Sequence, residues 1–354
     1  MREAAKALLM QGAFIPAMPL ALNEKREFDE KIQRRLVRYY LHAGADGIAA
    51  AVHTTQFAIR DPEINLFERV LSVVMEEIAS YRRQTGREIL AIAGVCGPAE
   101  QAVKEARLAY RMGYDAALVS PGGLADLSEA ELLERTAAIA QVMDVIGFYL
   151  QTAVGGRIFS YDYWAKYCAI EGVAAVKCAS FDRYTTLDVA RAIAFSDREV
   201  ALYTGNDDNI LNDLMTEYQF QDGDRVRSVR TRGGLLGHWA VWTHTAVRIF
   251  HEIKALSPAN PISPKWYTLA AQVTDANSAF FDTRNHFLGC IAGIHEVLRR
   301  QGLLKGIWCL DPEETLSPGQ SDEIDRVYAM YPHLNDDAFV KAFLEREESG
   351  WHAM

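Results

Sequence analysis

The sequence predicts an α/β fold, a closed (β/α)8 barrel with additional helices at its C-terminal end. Eight short apolar runs follow one another, each about as long as a parallel strand that is buried on both faces. Amphipathic stretches separate the runs, with apolar residues at three- and four-residue steps, as in helices packed on a sheet. No GxGxxG motif follows the first run, which disfavours the alternative of an open doubly wound sheet.

Eight β-α repeats in order account for most of the chain. The apolar runs begin at Gly12, Gly47, Ile89, Tyr114, Val145, Gly172, Glu199 and Gly233. Beyond about residue 240 the periodicity is helical only, over residues 243–256, 267–276, 286–301 and 336–348. We therefore predict a barrel over residues 1–255 that carries the active site, and a helical extension over residues 256–354 packed on it.

Composition places the chain among ordinary globular proteins. Of its 354 residues 49% are hydrophobic and 24% charged, which excludes intrinsic disorder, collagen and a disulfide miniprotein. The net charge of −10, with no long Lys/Arg block, disfavours nucleic acid and anionic membranes as partners. No apolar run approaches the ~20 residues of a membrane span. The N-terminus lacks a signal-peptide core and the five cysteines are scattered, so we expect reduced thiols and a cytoplasmic location.

Polar residues and glycines stand at the predicted C-terminal ends of the strands, where barrels of this kind carry their catalytic residues. In chain order the candidates are His53, Thr54, Thr55, Gly122, Gly123, Tyr149, Gln151, Lys177, Gly205, Asp207, Leu236, His238 and Trp239. We expect Asp207 to cap the helix that begins near Asn209. Neither HxH nor HExxH occurs, so we assign no metal ligand, and a metal-dependent barrel enzyme stays the less favoured alternative.

Lys177 is the strongest candidate because it lies within an otherwise apolar strand, G-V-A-A-V-K-C-A-S from Gly172. Burial disfavours the ammonium form and lowers the pKa of a lysine, and an amine nucleophile must be neutral. Such a lysine can form a Schiff base with a ketone or an aldehyde. The alternative is a strand-end lysine that reaches water or pairs with a carboxylate.

Taken together, these residues resemble the dihydrodipicolinate synthase / N-acetylneuraminate lyase superfamily. The resemblance rests on Thr54-Thr55 after strand two, Tyr149 in strand five, Lys177 in a V-K-x-A-S context and Gly205 in a T-G-N-D turn, and it covers residues 12–255. It implies class I chemistry on pyruvate or another 2-oxo acid, with Lys177 as the nucleophile and Tyr149 as the proton relay. The hydroxyls and amides of Thr54 and Thr55 would bind the substrate carboxylate.

The departures from the family pattern concern the second substrate. The family's G-T-T-G-E is H-T-T-Q-F here, from residue 53, and its P-Y-Y is P-G-G from residue 121. The arginine that holds the second carboxylate in the synthases falls on Val154, and Arg157 replaces it only if the loop shifts. These losses predict a divergent aldolase, hydratase-aldolase or dehydratase. Its second substrate would be an aldehyde or a hydroxylated compound, in a distal pocket formed by His53, Gln151, Gly122, Gly123, His238 and Trp239.

Two further readings stay open, dihydrodipicolinate synthase proper and a barrel that binds a 2-oxo acid without turning it over. The resemblance implies no cofactor besides the imine on Lys177. It also implies a homotetramer or a homodimer, by analogy with the family.

Overall fold

The structure is a computed structural model that describes residues 1–257 and 260–349. Eight strands that are each followed by a helix give the chain the (β/α)8 barrel fold, with further helices at the C-terminal end. The predicted fold class is therefore confirmed. In the described part of the chain, no helix combines the length and the apolarity that a membrane crossing requires.

The strands are short and mostly buried, as the apolar runs predicted. They are β1 (Phe14–Pro16), β2 (Gly47–Ala50), β3 (Leu90–Val95), β4 (Ala116–Val119), β5 (Val145–Leu150), β6 (Val173–Ala179), β7 (Ala201–Thr204), β8 (Glu217–Asp222) and β9 (Arg225–Leu236). The apolar pattern did not predict the β8–β9 hairpin, because the residues of β8 alternate between exposed and half-buried and the first six residues of β9 are all exposed or half-buried. As a result the eighth barrel strand, β9, begins at Arg225, before the predicted run.

The helices follow the amphipathic stretches, with α1 and α12 added. They are α1 (Glu3–Gln11), α2 (Glu30–Ala43), α3 (Phe67–Thr85), α4 (Ala99–Met112), α5 (Glu129–Ala140), α6 (Tyr161–Ala169), α7 (Arg183–Ala194), α8 (Ile210–Met215), α9 (Thr243–Lys254), α10 (Lys265–Phe280), α11 (Cys290–Arg300), α12 (Gln320–Met330) and α13 (Asp337–Glu348).

The first of two compact units comprises Met1–Ala13 and Leu90–Leu235. Its strands β3, β4, β5, β6, β7 and β9 are parallel neighbours in that order, and β8 pairs antiparallel with the start of β9. Helix α1 is joined to β7 by hydrogen bonds. The Tyr203 hydroxyl donates to the Leu9 carbonyl and accepts from the Ala13 amide. This unit carries Lys177.

The second compact unit joins residues 14–89 to the described residues from 236 onward. Helix α2 packs against the C-terminal helices: the Tyr39 hydroxyl donates to Asp336, 2.6 Å away, and the Arg38 guanidinium pairs with Glu347. These contacts join α2 to the C-terminal helices, which belong to the same unit as the first two β-α repeats. The division predicted at residue 255 stays a prediction.

Candidate active site

The predicted site residues fall in both compact units. The first unit holds Lys177, Tyr149, Gln151, Gly205 and Gly123, and the second holds His53, Thr54, Thr55, Leu236 and His238.

Lys177 shares one face of the sheet with two aromatic residues. In the parallel register it lies opposite Phe148 of β5 and Tyr203 of β7, and residues that lie opposite one another point to the same side. The next residue of each strand points the other way, which places Tyr149, Cys178 and Thr204 on the second face.

The second face is the one covered by helices. A Cβ on Gly147, on the same side of β5 as Tyr149, would lie 2.7 Å from the ring of Tyr167 in α6. The Cys178 Sγ lies 3.7 Å from the Thr186 hydroxyl oxygen of α7. Lys177 therefore points to the side away from the helices, which is the inner side of a (β/α)8 sheet.

The surroundings of Lys177 favour a neutral amine. Its side chain is 7% exposed, and its Nζ lies 4.1 Å from the centre of the Phe148 ring. Burial lowers the pKa of Lys177 from 10.5 to about 8, and the negative charge of Asp207 opposes part of that fall. At pH 7 roughly one amine in ten is then neutral, against about one in three thousand for an ordinary lysine.

The turn after β7 packs directly on the Lys177 side chain. The Gly205 amide donates to the Cys178 carbonyl at 2.7 Å, and a Cβ on Gly205 would lie 2.5 Å from Cε of Lys177. The predicted glycine is thus required by the lysine beside it. This is the one pair of predicted site residues in the first unit that the described contacts bring together.

A buried carboxylate holds this turn in place. Asp213 of α8, 2% exposed, accepts from the Thr204 hydroxyl at 2.7 Å and from the Asn206 side-chain amide at 2.9 Å. Its other oxygen accepts from Arg183 at 2.6 Å. The Asn206 side-chain oxygen in turn accepts from the Phe181 amide, so the turns after β6 and β7 are joined.

Asp207 is not the N-cap residue of α8, contrary to the expectation from the sequence. Helix α8 begins at Ile210 with Asn209 in the N-cap position, two residues beyond Asp207. Asp207 is instead buried, 8% exposed, and its charge acts on Lys177. The sequence did contain a signal for this position, because Asp207 follows directly on the turn after β7 that packs on Lys177.

Tyr149 is not brought together with Lys177. Its ring stacks on Trp164 of α6 at 5.2 Å and meets Phe159 edge-on at 5.7 Å. Its hydroxyl accepts from the Phe159 amide at 3.3 Å, and burial raises its pKa. Phe148, which is not among the residues predicted from the sequence, takes the position beside the lysine.

Thr54 and Thr55 lie together in a 3-10 turn at the end of β2, His53–Thr55, as expected. Both hydroxyls are directed to the carbonyl of Met18, at 3.3 Å from Thr54 and 2.7 Å from Thr55. The Thr55 oxygen also accepts from the Val52 amide at 3.2 Å. The hydroxyl of Thr55 thus fixes the loop, because it donates to one backbone group and accepts from another.

The two candidate histidines of the second unit, His53 and His238, differ in exposure. His53 is half-buried, and its ring meets Phe57 edge-on at 6.0 Å. His238 is 5% exposed and stacks on Phe280 of α10, and burial lowers its pKa to about 4, against a hydrogen bond with Asn277 that raises it. A neutral His238 at physiological pH follows from this. Leu236 is fully buried, and its carbonyl accepts from Ala17.

The remaining candidates in the first unit lie in loops. Gln151 precedes a 3-10 turn, Thr152–Val154, and its carbonyl accepts from the Gly156 amide at 3.0 Å. Gly123 is exposed, with φ +76° and no atom near its missing side chain. Arg157, the possible replacement for the family arginine, donates to the carbonyls of Ala125 and Leu127 and so joins two loops. Within the described residues, no group of His, Cys, Asp and Glu side chains has the arrangement of a metal site.

Comparison with known proteins agrees with this fold. The model of the Dihydrodipicolinate synthetase family matches residues 10–217. A search of curated proteins found no match.

Solved structures of two kinds of enzyme are similar to this chain. Dihydrodipicolinate synthase from Oceanobacillus iheyensis superposes with a TM-score of 0.72 at 17% identity, covering 94% of this chain and 99% of that one. N-acetylneuraminate lyase from Fusobacterium nucleatum gives 0.69 at 16%, covering 91% and 99%. These identities support the fold, and the family model adds the lineage: the chain belongs to the dihydrodipicolinate synthetase family.

Proposed function

We propose that the protein is a Schiff-base-forming lyase that acts on pyruvate or another 2-oxo acid through Lys177. The observation that carries the proposal is that Lys177 lies on the inner face of β6 and is only 7% exposed. This burial lowers the pKa of Lys177 to about 8. A neutral amine in a water-poor site is what attack on a keto carbon requires.

The imine supplies the driving force for the later steps. Once protonated, it draws electrons from the neighbouring bond, so that a C–C bond forms or breaks, or a β-hydroxyl leaves, through an enamine. The reaction is that of an aldolase, a hydratase-aldolase or a dehydratase. We expect no cofactor, because the protonated imine formed on Lys177 is itself the electron sink.

Pyruvate is the first 2-oxo acid to test. The N-acetylneuraminate lyase of Fusobacterium nucleatum and the dihydrodipicolinate synthase of Acinetobacter baumannii were both crystallised with it. For the second substrate, Val154 replaces the family arginine and Arg157 is engaged by loop carbonyls. A second compound without a carboxylate therefore suits this chain better than the acceptor of the synthases.

Trapping the imine tests the proposal. The protein is incubated with pyruvate, reduced with borohydride and digested, and the modified peptide is identified by mass spectrometry. We expect one adduct, on Lys177, that disappears in Lys177→Met. Lys166→Met is the matched control, because Lys166 lies exposed on α6. No adduct on Lys177 with saturating pyruvate, nor with any other 2-oxo acid tested in the same way, would refute the proposal.

A barrel that binds without turnover is the second candidate, favoured by the placement of Tyr149 against α6. Steady-state assays with pyruvate and a panel of aldehydes separate the two. An adduct on Lys177 with no turnover of any aldehyde, in either direction, would favour the binding protein. The homotetramer or homodimer implied by the family is checked by light scattering of the same preparation.

A further inference from the structure

The side chain of Lys177 is enclosed from both neighbouring strands. From β5 the ring of Phe148 covers the amine, with Nζ 4.1 Å from the ring centre. From β7 the turn at Gly205 covers the stem, since a Cβ there would lie 2.5 Å from Cε and 3.1 Å from Cγ. Phe148 is part of a strand, whereas Gly205 lies just beyond the end of β7. The position of the turn therefore decides how closely the lysine is enclosed.

One buried side chain fixes this turn. Asn206 is fully buried and follows Gly205 directly in the chain. Its side-chain oxygen accepts from the Phe181 amide at 2.9 Å, in the turn after β6. Its side-chain nitrogen donates to Asp213 of α8 at 2.9 Å, and its own backbone amide donates to the Thr204 hydroxyl at 3.2 Å. Asn206 thus joins the ends of β6 and β7 to α8.

The turn after β6 is strained at the point where Asn206 holds it. Phe181 has φ +55°, in the left-handed region that disfavours residues with a side chain. Asparagine carries an acceptor and a donor on one side chain, so it satisfies both the Phe181 amide and the Asp213 carboxylate. An aspartate would place a second negative oxygen at that carboxylate, and an alanine would provide neither group.

The charges near Lys177 are unaffected by a neutral substitution at Asn206. The negative charge of Asp207 raises the pKa of the lysine, against the larger effect of burial. Tyr203 lies opposite the lysine in β7, and its hydroxyl is hydrogen-bonded to backbone groups at the end of α1 and just before β1. A change in the pKa of the lysine in such a variant therefore reports a change of burial.

We propose that Asn206 is a positioning residue for Lys177. By joining the turns after β6 and β7 it holds Gly205 against the lysine side chain, which keeps the amine in place for attack and shielded from water. The inference rests on the proposed function, and it gives a role to a residue that is not among those predicted from the sequence.

A displaced turn would act on the lysine in two ways. The stem would gain room beside Gly205, and moving a reacting group by about 1 Å reduces the rate by about 10²-fold. Water would reach the amine and favour the ammonium form, so the pKa of Lys177 would rise from about 8 toward its ordinary value of 10.5. Both effects slow imine formation at pH 7, and the second also moves the pH profile.

The experiment compares Asn206→Ala with the matched control Asn209→Ala. Asn209 donates to the other oxygen of Asp213 at 2.9 Å, so the control also removes a hydrogen bond to that carboxylate but leaves the link to Phe181 in place. Each protein is mixed with pyruvate for a set time and quenched with borohydride. The labelled fraction of Lys177 is then measured by mass spectrometry, from pH 6 to 10.

We expect Asn206→Ala to form the adduct about 10²-fold more slowly at pH 7. The midpoint of its pH profile should lie about one unit or more above that of the wild type, because burial of the amine is reduced. Asn209→Ala should stay within about threefold of the wild-type rate, with an unmoved midpoint. If Asn206→Ala does not fold, as judged by its melting curve, Asn206→Ser provides the same comparison, because it keeps a polar group in the buried position.

Three results would overturn the inference. They are a rate for Asn206→Ala within threefold of the wild type, a slower rate with an unmoved midpoint, and an equal loss of rate in Asn209→Ala. The second result, together with a lower melting temperature, would show that Asn206 only stabilises the fold. In each case the wild type still forms the adduct on Lys177, and the proposed function stands. A wild type that no 2-oxo acid labels refutes the proposed function, and this inference with it.

Discussion

Replacing Gly205 by alanine would add one carbon at the point where the turn after β7 meets Lys177. That Cβ would lie 2.5 Å from Cε of Lys177, 3.1 Å from its Cγ and 2.7 Å from Cβ of Ala179. Carbon atoms rest at about 3.5–4.0 Å from one another. The lysine must therefore retreat by about 1 Å. Ala179 cannot retreat alone, because its Cβ is fixed to the backbone of β6.

The two displacements have separate costs. Overpacking a buried site lowers the free energy of unfolding by about 1–3 kcal/mol. Moving a reacting group by about 1 Å reduces the rate by about 10²-fold. We therefore expect Gly205→Ala to fold, to melt at a lower temperature, and to form the trapped pyruvate adduct about a hundred times more slowly.

Gly223→Ala is the matched control. Gly223 lies in the turn between β8 and β9 with φ +57°, and no atom lies within 4 Å of the added carbon. The left-handed backbone makes that alanine cost about 1–2 kcal/mol without touching Lys177. Trapping at the wild-type rate in Gly205→Ala, or an equal loss of rate in Gly223→Ala, would refute the packing argument.

Three further changes test other parts of the structure. Because the pKa of Lys177 is about 8, adduct formation should rise nearly tenfold from pH 6 to 7 and level off above about pH 9; a rise that continues to pH 10.5 would indicate an ordinary lysine. Tyr149→Phe should change the trapping rate less than about threefold. It should lower the free energy of unfolding by about 1 kcal/mol, because the Phe159 amide loses its acceptor. A trapping rate about 10²-fold slower would instead support the role of Tyr149 as proton relay that the sequence predicted. Asp213→Asn should lower the unfolding free energy in urea by about 2–3 kcal/mol, since charge-assisted hydrogen bonds from Arg183 and Thr204 are lost; an unchanged midpoint would show that the network does not stabilise the fold.

The fold could be predicted because a strand that is buried on both faces has a continuous run of apolar residues, which is easily recognised in the sequence. The seven residues of β6 are all buried, and Lys177 is conspicuous for that reason. The β8–β9 hairpin could not be recognised in the same way, since Glu217, Gln219 and Gln221 alternate with half-buried residues at the surface.

The direction of Tyr149 could not be predicted because it depends on the pairing of two strands. Between β5 and β6 the register shifts after Val145, which lies opposite Val173, so that Ile146 lies opposite Ala175. A shift of one residue turns every following side chain to the other face. The number of residues between Tyr149 and Lys177 does not reveal this register shift, so the sequence could not show which face Tyr149 occupies.

The attachment of α2 to the last helices also orders events during synthesis. Tyr39 and Asp336 are 297 residues apart, so the ribosome must release almost the whole chain before that hydrogen bond can form. Residues 90–235, in contrast, emerge as one continuous stretch. Long-range contacts of this kind delay folding. A nascent chain that stops before α13 leaves Arg38 without its Glu347 partner, so this contact of α2 forms only when synthesis is almost complete.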